Sequence, residues 1–206
     1  MTQCCDSIKV ISWDVDGTLY SAADFKRQLY INWLRCCWRP SVWSDIQLIA
    51  KSQRMMQAIR LVGGECSRYN SSLRMQAEER ERPWFARALQ VIGLRPGVRE
   101  ALDALRARGY RQIIVSDYHA DYKLEALGVS EYFERIFACE DDGIFKPSAN
   151  VFKKACDALT ISPTSLLHIG DREDTDGVAA RDAGCCVEIV PAKGSLSLGL
   201  LARSCD

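Results

Sequence analysis

Four short clusters of reactive side chains stand out along the 206-residue chain. The first is Asp14-Val15-Asp16-Gly17-Thr18, directly after the apolar run at 8–13. Two carboxylates two residues apart at the tip of an extended segment can point the same way. So close together, they repel unless a cation or a shared proton lies between them. Gly17 permits a sharp turn, and Thr18 can hydrogen-bond within it. The second cluster is Ser116-Asp117, after Ile113-Ile114-Val115. The third is Lys146, just before Pro147, a residue type that often opens a helix. The fourth is Asp171, after the apolar run at 166–170, with Asp174 and Asp176 close behind. Taken singly, each has an ordinary reading: a surface turn, a strand-end hydroxyl, a solvated lysine, acids favouring a helix start.

Taken in order, a carboxylate pair, a hydroxyl, a lysine and an acidic group resemble the four motifs of the haloacid dehalogenase-like (HAD) hydrolases. The resemblance runs from about residue 8 to 190, and the stretch 171–184 looks like the family's fourth motif with its following helix. It implies an α/β fold: a Rossmann-like parallel sheet core with an all-helical cap inserted after the first strand, as in subfamily I phosphatases with a C1 cap. It also implies roles. Asp14 would attack phosphorus to give an aspartyl-phosphate. Asp14 and Asp171 would ligate Mg²⁺ through side chains and Asp16 through its backbone carbonyl, leaving the Asp16 carboxyl free for acid–base work. Ser116 and Lys146 would hold the phosphoryl group. Thr18 and Asp117 join them as substrate-binding candidates. Asp176 or Asp174 would orient water or Lys146 from behind the metal. Many relatives carry an uncharged residue at the Asp117 position. A carboxylate there either points away from substrate phosphate or binds a substrate hydroxyl or amine.

The elements needed to position these groups are legible as patterns. Apolar runs at 8–13, 110–115, 132–137, 166–169 and 185–190 read as strands, and helical periodicity fills the gaps. Alternation of strands and helices predicts parallel pairing with right-handed crossovers, so the motif-bearing tips converge on one sheet edge. Residues 1–20 and 94–206 are expected to form the core, and 21–93 the helical cap. Within the insert, one helix carries Phe25, Leu29 and Trp33 and ends at Pro40. Ser41 or Ser44 would cap a second, and a third would run from about Cys66 and restart at Pro83. Pro96 would open a helix ended by Gly109, and Pro147 would open another reaching Leu159. His168 alternates within a strand and reads as packed. His119 could equally touch substrate or favour a helix start.

Composition sets the outer bounds. Hydrophobic residues make up 48% and charged residues 26%, ordinary for a globular domain. Formal net charge is zero, which gives no general case for nucleic-acid or membrane partners. The charge is unevenly divided, however: residues 21–93 hold twelve basic and six acidic side chains, or +6, and the remainder is −6. A basic lid over an acidic, metal-dependent floor suits a small anionic phosphorylated substrate. No run approaches a membrane span, and the first residues lack the basic and apolar regions of a secretory signal. The ten cysteines include three vicinal doublets but no C-x-x-C, so they read as core-filling thiols of a cytoplasmic protein, monomer or homodimer. A phosphomutase or other phosphotransferase would share the four motifs. A haloacid dehalogenase needs neither Asp16 nor Mg²⁺, and a non-catalytic binding domain would be expected to have lost a motif residue.

Overall fold

The computed structural model describes residues 8–65 and 69–191. Five parallel strands form the sheet: β1 (Val10–Trp13), β2 (Arg111–Ser116), β3 (Arg135–Ala138), β4 (Leu166–Gly170) and β5 (Cys186–Ile189), in the order β3-β2-β1-β4-β5. β1 is central, with Val10 aligned to Arg111 on one side and to Leu166 on the other. The chain leaves β1 towards β2 and β3 and later returns to the other side of β1 with β4 and β5. The crevice beyond the tips of β1 and β4 is therefore the topological switch point of the sheet.

Period-two alternation sends neighbouring side chains to opposite faces. Ile11, Trp13, Ile114, Leu167 and Ile169 pack in one apolar layer, with Leu102 and Leu105 of α4 (Val98–Ala107) and Leu124 of α5 (Asp121–Leu127). Val10, Ile113, Val115 and Leu166 pack in the other layer. There they meet Phe152 and Ala155, together with Ala179 and Ala180. After the short α6 (Cys139–Asp142), those side chains belong to α7 (Asn150–Leu159) and α8 (Val178–Asp182). The three-layer α/β/α core follows from strands that are apolar on both faces.

Between β1 and α4 the described residues form three helices, α1 (Ala22–Leu34), α2 (Pro40–Leu61) and α3 (Ser71–Ile92), and one isolated antiparallel bridge from Glu65 to Ile144. Ser21 caps α1 by accepting from the Asp24 N–H at 3.2 Å. The capping expectation for α2 is not met, because Pro40 itself occupies its first turn, where a missing N–H costs nothing. α3 starts at the Asn70 cap rather than near Cys66, and it runs through Pro83 without a restart. An interior proline costs about 3 kcal/mol. The buried Ala77, Glu81, Ala88 and Leu89 on either side supply tertiary contacts that outweigh it. Pro147 opens no helix; it lies in a turn where Ser148 N donates to Phe145 O at 2.9 Å, and α7 begins at Asn150. Cys36, Cys37, Cys139, Cys156 and Cys185 are free thiols. Cys186, half-buried at the start of β5, is disulfide-bonded and departs from the all-thiol expectation. Among the described residues no helix is long and apolar enough to cross a membrane.

Candidate active site

Asp14 emerges from β1 with its backbone N–H bound to Ile169 O at 2.8 Å, which fixes it beside the β4 tip. Its carboxylate is buried and meets Lys146, whose Nζ donates to Asp14 Oδ1 at 2.6 Å, to Asp176 Oδ1 at 2.6 Å and to Val115 O at 3.3 Å. These three contacts use the whole donor capacity of an ammonium. Lys146 is only 2% exposed. Burial pushes its pKa down, but the two flanking carboxylates outweigh burial and hold it well above the usual lysine range. For Asp14 burial dominates: it pushes the carboxyl up to about 8 against the pull of Lys146, with Asp176 adding repulsion. Asp171 is raised to about 6, again by burial first and then by Asp176. Asp176 goes the other way, because Lys146 and His168 overcome its burial and hold it well below the carboxylate range.

Oxygens of Asp14, Asp171 and Asp176 lie within 4.8 Å of one another. Fully ionised, three carboxylates against one lysine would leave a net charge of −2 here. The donors are all hard oxygens, which suits Mg²⁺, and a bound cation would relieve the upward pressure on Asp14 and Asp171. The cradle is tight. Gly17 has φ +95°, and a Cβ built on it would fall 2.1 Å from Asp171 Oδ2, so only glycine lets the first loop lie against that carboxylate.

The Asp16 side chain does not join this cluster. Lys123 Nζ holds both of its oxygens, at 2.6 and 2.8 Å, and the Tyr20 hydroxyl donates to Oδ1. Burial pushes the Asp16 pKa up, but Lys123 and Tyr20 more than compensate and the net shift is downward. Lys123, 2% exposed on α5, was not identified from the sequence. Its only sequence signal is its place shortly after the Ser116 loop.

The remaining candidates separate. Ser116 ends β2, lines the cavity and accepts from Tyr118 N at 3.3 Å. Asp117 accepts from Lys146 N at 3.1 Å and is gripped from α2 by Arg60, at 3.0 and 2.8 Å. Two candidates stand apart from the cavity lining. Thr18 is fully buried away from the cavity lining, and its hydroxyl has no partner. Asp174 is turned outward and paired with Arg172 at 2.6 Å, leaving Asp176 as the inner acid. His168 is fully buried between Ser12 Oγ (2.9 Å) and Asp176 (3.3 Å), as its strand position suggests. His119 is not among the residues lining the cavity over the strand tips: its Nδ1 lies 2.9 Å from Glu78 of α3 and its Nε2 2.8 Å from Asp141. Carboxylates at both ring nitrogens favour the doubly protonated ring, and the bond to Glu78 first of all raises its pKa to about 9.

A cavity of about 470 Å³ lies over the strand tips. Asp14, Asp16, Ser116, Lys146 and Asp171 form its floor; Phe25, Leu29, Ile49, Arg60, Glu81 and Phe85 of the inserted helices form its roof. A buried strand-tip carboxylate, two further acids beside it, a fixed ammonium and a separate carboxylate thus line one cavity.

Comparison with known proteins agrees with this geometry. The family model for haloacid dehalogenase-like hydrolases matches residues 8–184. Haloacid dehalogenase-like hydrolase domain-containing protein 3 of Xenopus laevis is 30% identical over 86% of this chain and 82% of its own length. The phosphoglycolate phosphatase of Nitrosospira multiformis is 36% identical, with 54% of this chain matched to 50% of the relative. The HAD-type protein YfnB of Bacillus subtilis, solved with bound magnesium, superimposes with a TM-score of 0.65 at 18% identity, covering 97% of this chain and 99% of that one. The chain belongs to the haloacid dehalogenase-like hydrolase family.

Proposed function

We propose that the protein is a Mg²⁺-dependent phosphatase that hydrolyses a small phosphorylated metabolite through an aspartyl-phosphate on Asp14. The observation that carries this reading is the pairing of two different carboxylate environments. Asp14 sits in the cation cradle with Lys146, and Asp16 sits outside it on Lys123. Asp14, Asp171 and Asp176 would hold Mg²⁺, which supplies charge screening for the approach of a carboxylate to a phosphate dianion. Asp14 attacks phosphorus as the bond to the leaving oxygen breaks. Asp16 is a carboxylate in the free protein; the charge of a bound phosphate dianion favours its protonated form, which gives its proton to that oxygen and then, as a carboxylate again, takes one from the water that opens the acyl phosphate. Lys146 and Ser116 neutralise and orient the transferring group.

Residues 21–93 act as the cap in this scheme, with Arg60 poised at the mouth through its bond to Asp117. Support for a phosphatase over a dehalogenase comes from the cluster of three carboxylates, since displacement of halide needs neither a cation cradle nor a proton donor. The phosphatase names of relatives point the same way.

The test is phosphate release from p-nitrophenyl phosphate and from a panel of phosphorylated metabolites. Activity is expected only with Mg²⁺, and Asp14→Asn should abolish it with circular dichroism unchanged. Residual activity within about tenfold of the parent removes Asp14 as nucleophile.

A further inference from the structure

The loop that carries Lys146 is fastened to the inserted helices at three consecutive residues. Ile144 forms an antiparallel bridge with Glu65, on the chain that leaves α2. Phe145 N donates to Gly64 O at 2.8 Å. Gly64 has φ +83°, and a Cβ there would collide with Phe145 O, so only glycine permits this approach. Lys146 N donates to Asp117 Oδ1 at 3.1 Å. The other oxygen of Asp117 belongs to the insert: Oδ2 accepts from Arg60 Nε at 3.0 Å and from Nη2 at 2.8 Å. Arg60 lies in the last turn of α2. Its Nη2 also reaches the Tyr118 hydroxyl at 3.2 Å, and its guanidinium sits 5.5 Å from the centre of that ring. One carboxylate, with its side chain 10% exposed, thus spans from an arginine of the lid to the backbone of the lysine that holds Asp14. A charge-assisted bond from a planar fork fixes the orientation of a carboxylate better than a single donor does.

We infer that Asp117 is a positioning residue and not a substrate contact: gripped by Arg60, it holds the Lys146 backbone, so the placement of Lys146 against Asp14 depends on the lid being seated. The consequence for turnover rests on the phosphatase reading; the link itself does not. Arg60 is then required for the chemical step even without touching the phosphoryl group, because a misplacement of about 1 Å in a catalytic group costs up to about 10²-fold.

The test takes two readings on full-length protein with Mg²⁺. The first is hydrogen exchange followed amide by amide. Arg60→Gln should speed exchange of the Lys146 amide by about tenfold or more while the amides of β1 keep their protection, since only the local bond is loosened. The second is steady-state kinetics with p-nitrophenyl phosphate and glycerol 3-phosphate. Arg60→Gln should lower kcat by about tenfold or more, by the same factor for both esters. Arg60→Lys, which keeps the charge but not the two-nitrogen grip, should fall between Arg60→Gln and the parent in both readings. Combining Arg60→Gln with Asp117→Ala should be no worse than Asp117→Ala alone, as expected of residues acting in one chain of contacts. If Arg60→Gln also loosens β1, both readings are taken on Arg60→Lys. Unchanged exchange at Lys146 overturns the inference. So does a change confined to KM or to one ester, which assigns Arg60 to substrate recognition, and so does a rise in kcat, which makes its bond to Asp117 inhibitory. If neither ester releases phosphate, the phosphatase reading falls, and exchange at Lys146 still decides whether the lid holds the lysine.

Discussion

Replacing Lys146 by methionine removes the one positive charge from the buried carboxylate cluster while keeping much of the side chain's volume. In the parent, that ammonium bonds Asp14 and Asp176 at 2.6 Å each and is 2% exposed. Breaking a buried pair by removing one partner costs roughly 3–5 kcal/mol. Two like charges about 4 Å apart at an effective dielectric near 20 repel by about 4 kcal/mol, which is the same scale. The loss should depend on pH in one direction. Without Lys146 the Asp14 carboxyl, already raised to about 8, is raised further above its unfolded value. A carboxyl raised on folding destabilises as it is forced to ionise; below about pH 8 Asp14 is protonated in both proteins, so the difference between them widens as pH rises above that value. Metal-free urea unfolding of Lys146→Met against the parent should show a smaller deficit near about pH 7 and a larger one near about pH 9. Saturating Mg²⁺ should narrow the gap, since a ligand at about a hundredfold excess over its Kd contributes about 2.7 kcal/mol. A deficit below about 1 kcal/mol at the higher pH, or one indifferent to both pH and Mg²⁺, would refute the electrostatic account of this site.

Two other predictions address different parts of the molecule. Asp16→Asn removes proton transfer but not the Asp14 nucleophile, so turnover of an alkyl phosphate should fall about 10²–10⁴-fold. p-Nitrophenyl phosphate, whose leaving group needs no proton, should give a burst followed by slow turnover, with a phosphorylated protein visible by mass spectrometry at acid pH. Absence of both burst and phosphoprotein in a folded variant would remove Asp16 from the acid–base role. His119, raised to about 9 mainly by its bond to Glu78, contributes stability that is fully present below about pH 6.5. That contribution is lost as pH rises through about 9, and His119→Gln should flatten thermal stability across this window; an unchanged slope would mean the ring is not the group responsible.

The parts of the site carried by strand tips were readable, and the parts carried by helices were not. Asp14, Ser116 and Asp171 each follow an apolar run that can only be a buried strand, so chain order and parallel pairing suffice to bring them together. Lys146 was readable by its place beside a proline, although the helix was expected too early, because the turn at Phe145–Ser148 comes first. Lys123, Arg60 and Glu81 lie on helices rich in charge, where sequence gives no sign of which side chain turns inward. Their roles depend on how α2, α3 and α5 are set against one another, a tertiary matter. The sequence does not separate Asp174 from Asp176, for a related reason. The π-type turn at Glu173–Gly177 rotates one acid towards Lys146 and the other towards Arg172.

The seam between the inserted helices and the sheet is sewn with charge. Arg74 of α3 is 2% exposed and bonds Glu140 at 2.8 Å; Glu78 bonds His119; Arg60 bonds Asp117. Further along, Gly64 O accepts from Phe145 N at 2.8 Å, and Glu65 accepts from Ser148 and Asn150 ahead of α7. Neither side of such a seam can change alone. Losing Arg74 strands Glu140 and Glu81 together, whereas losing Glu140 leaves Arg74 still paired with Glu81, so the three buried charges stand as a unit. Substitutions here are therefore epistatic, each conditioned by its partners across the seam. A lid grafted from a relative would arrive without the matching charges. The insert and its platform must be inherited, and diversified, as a pair.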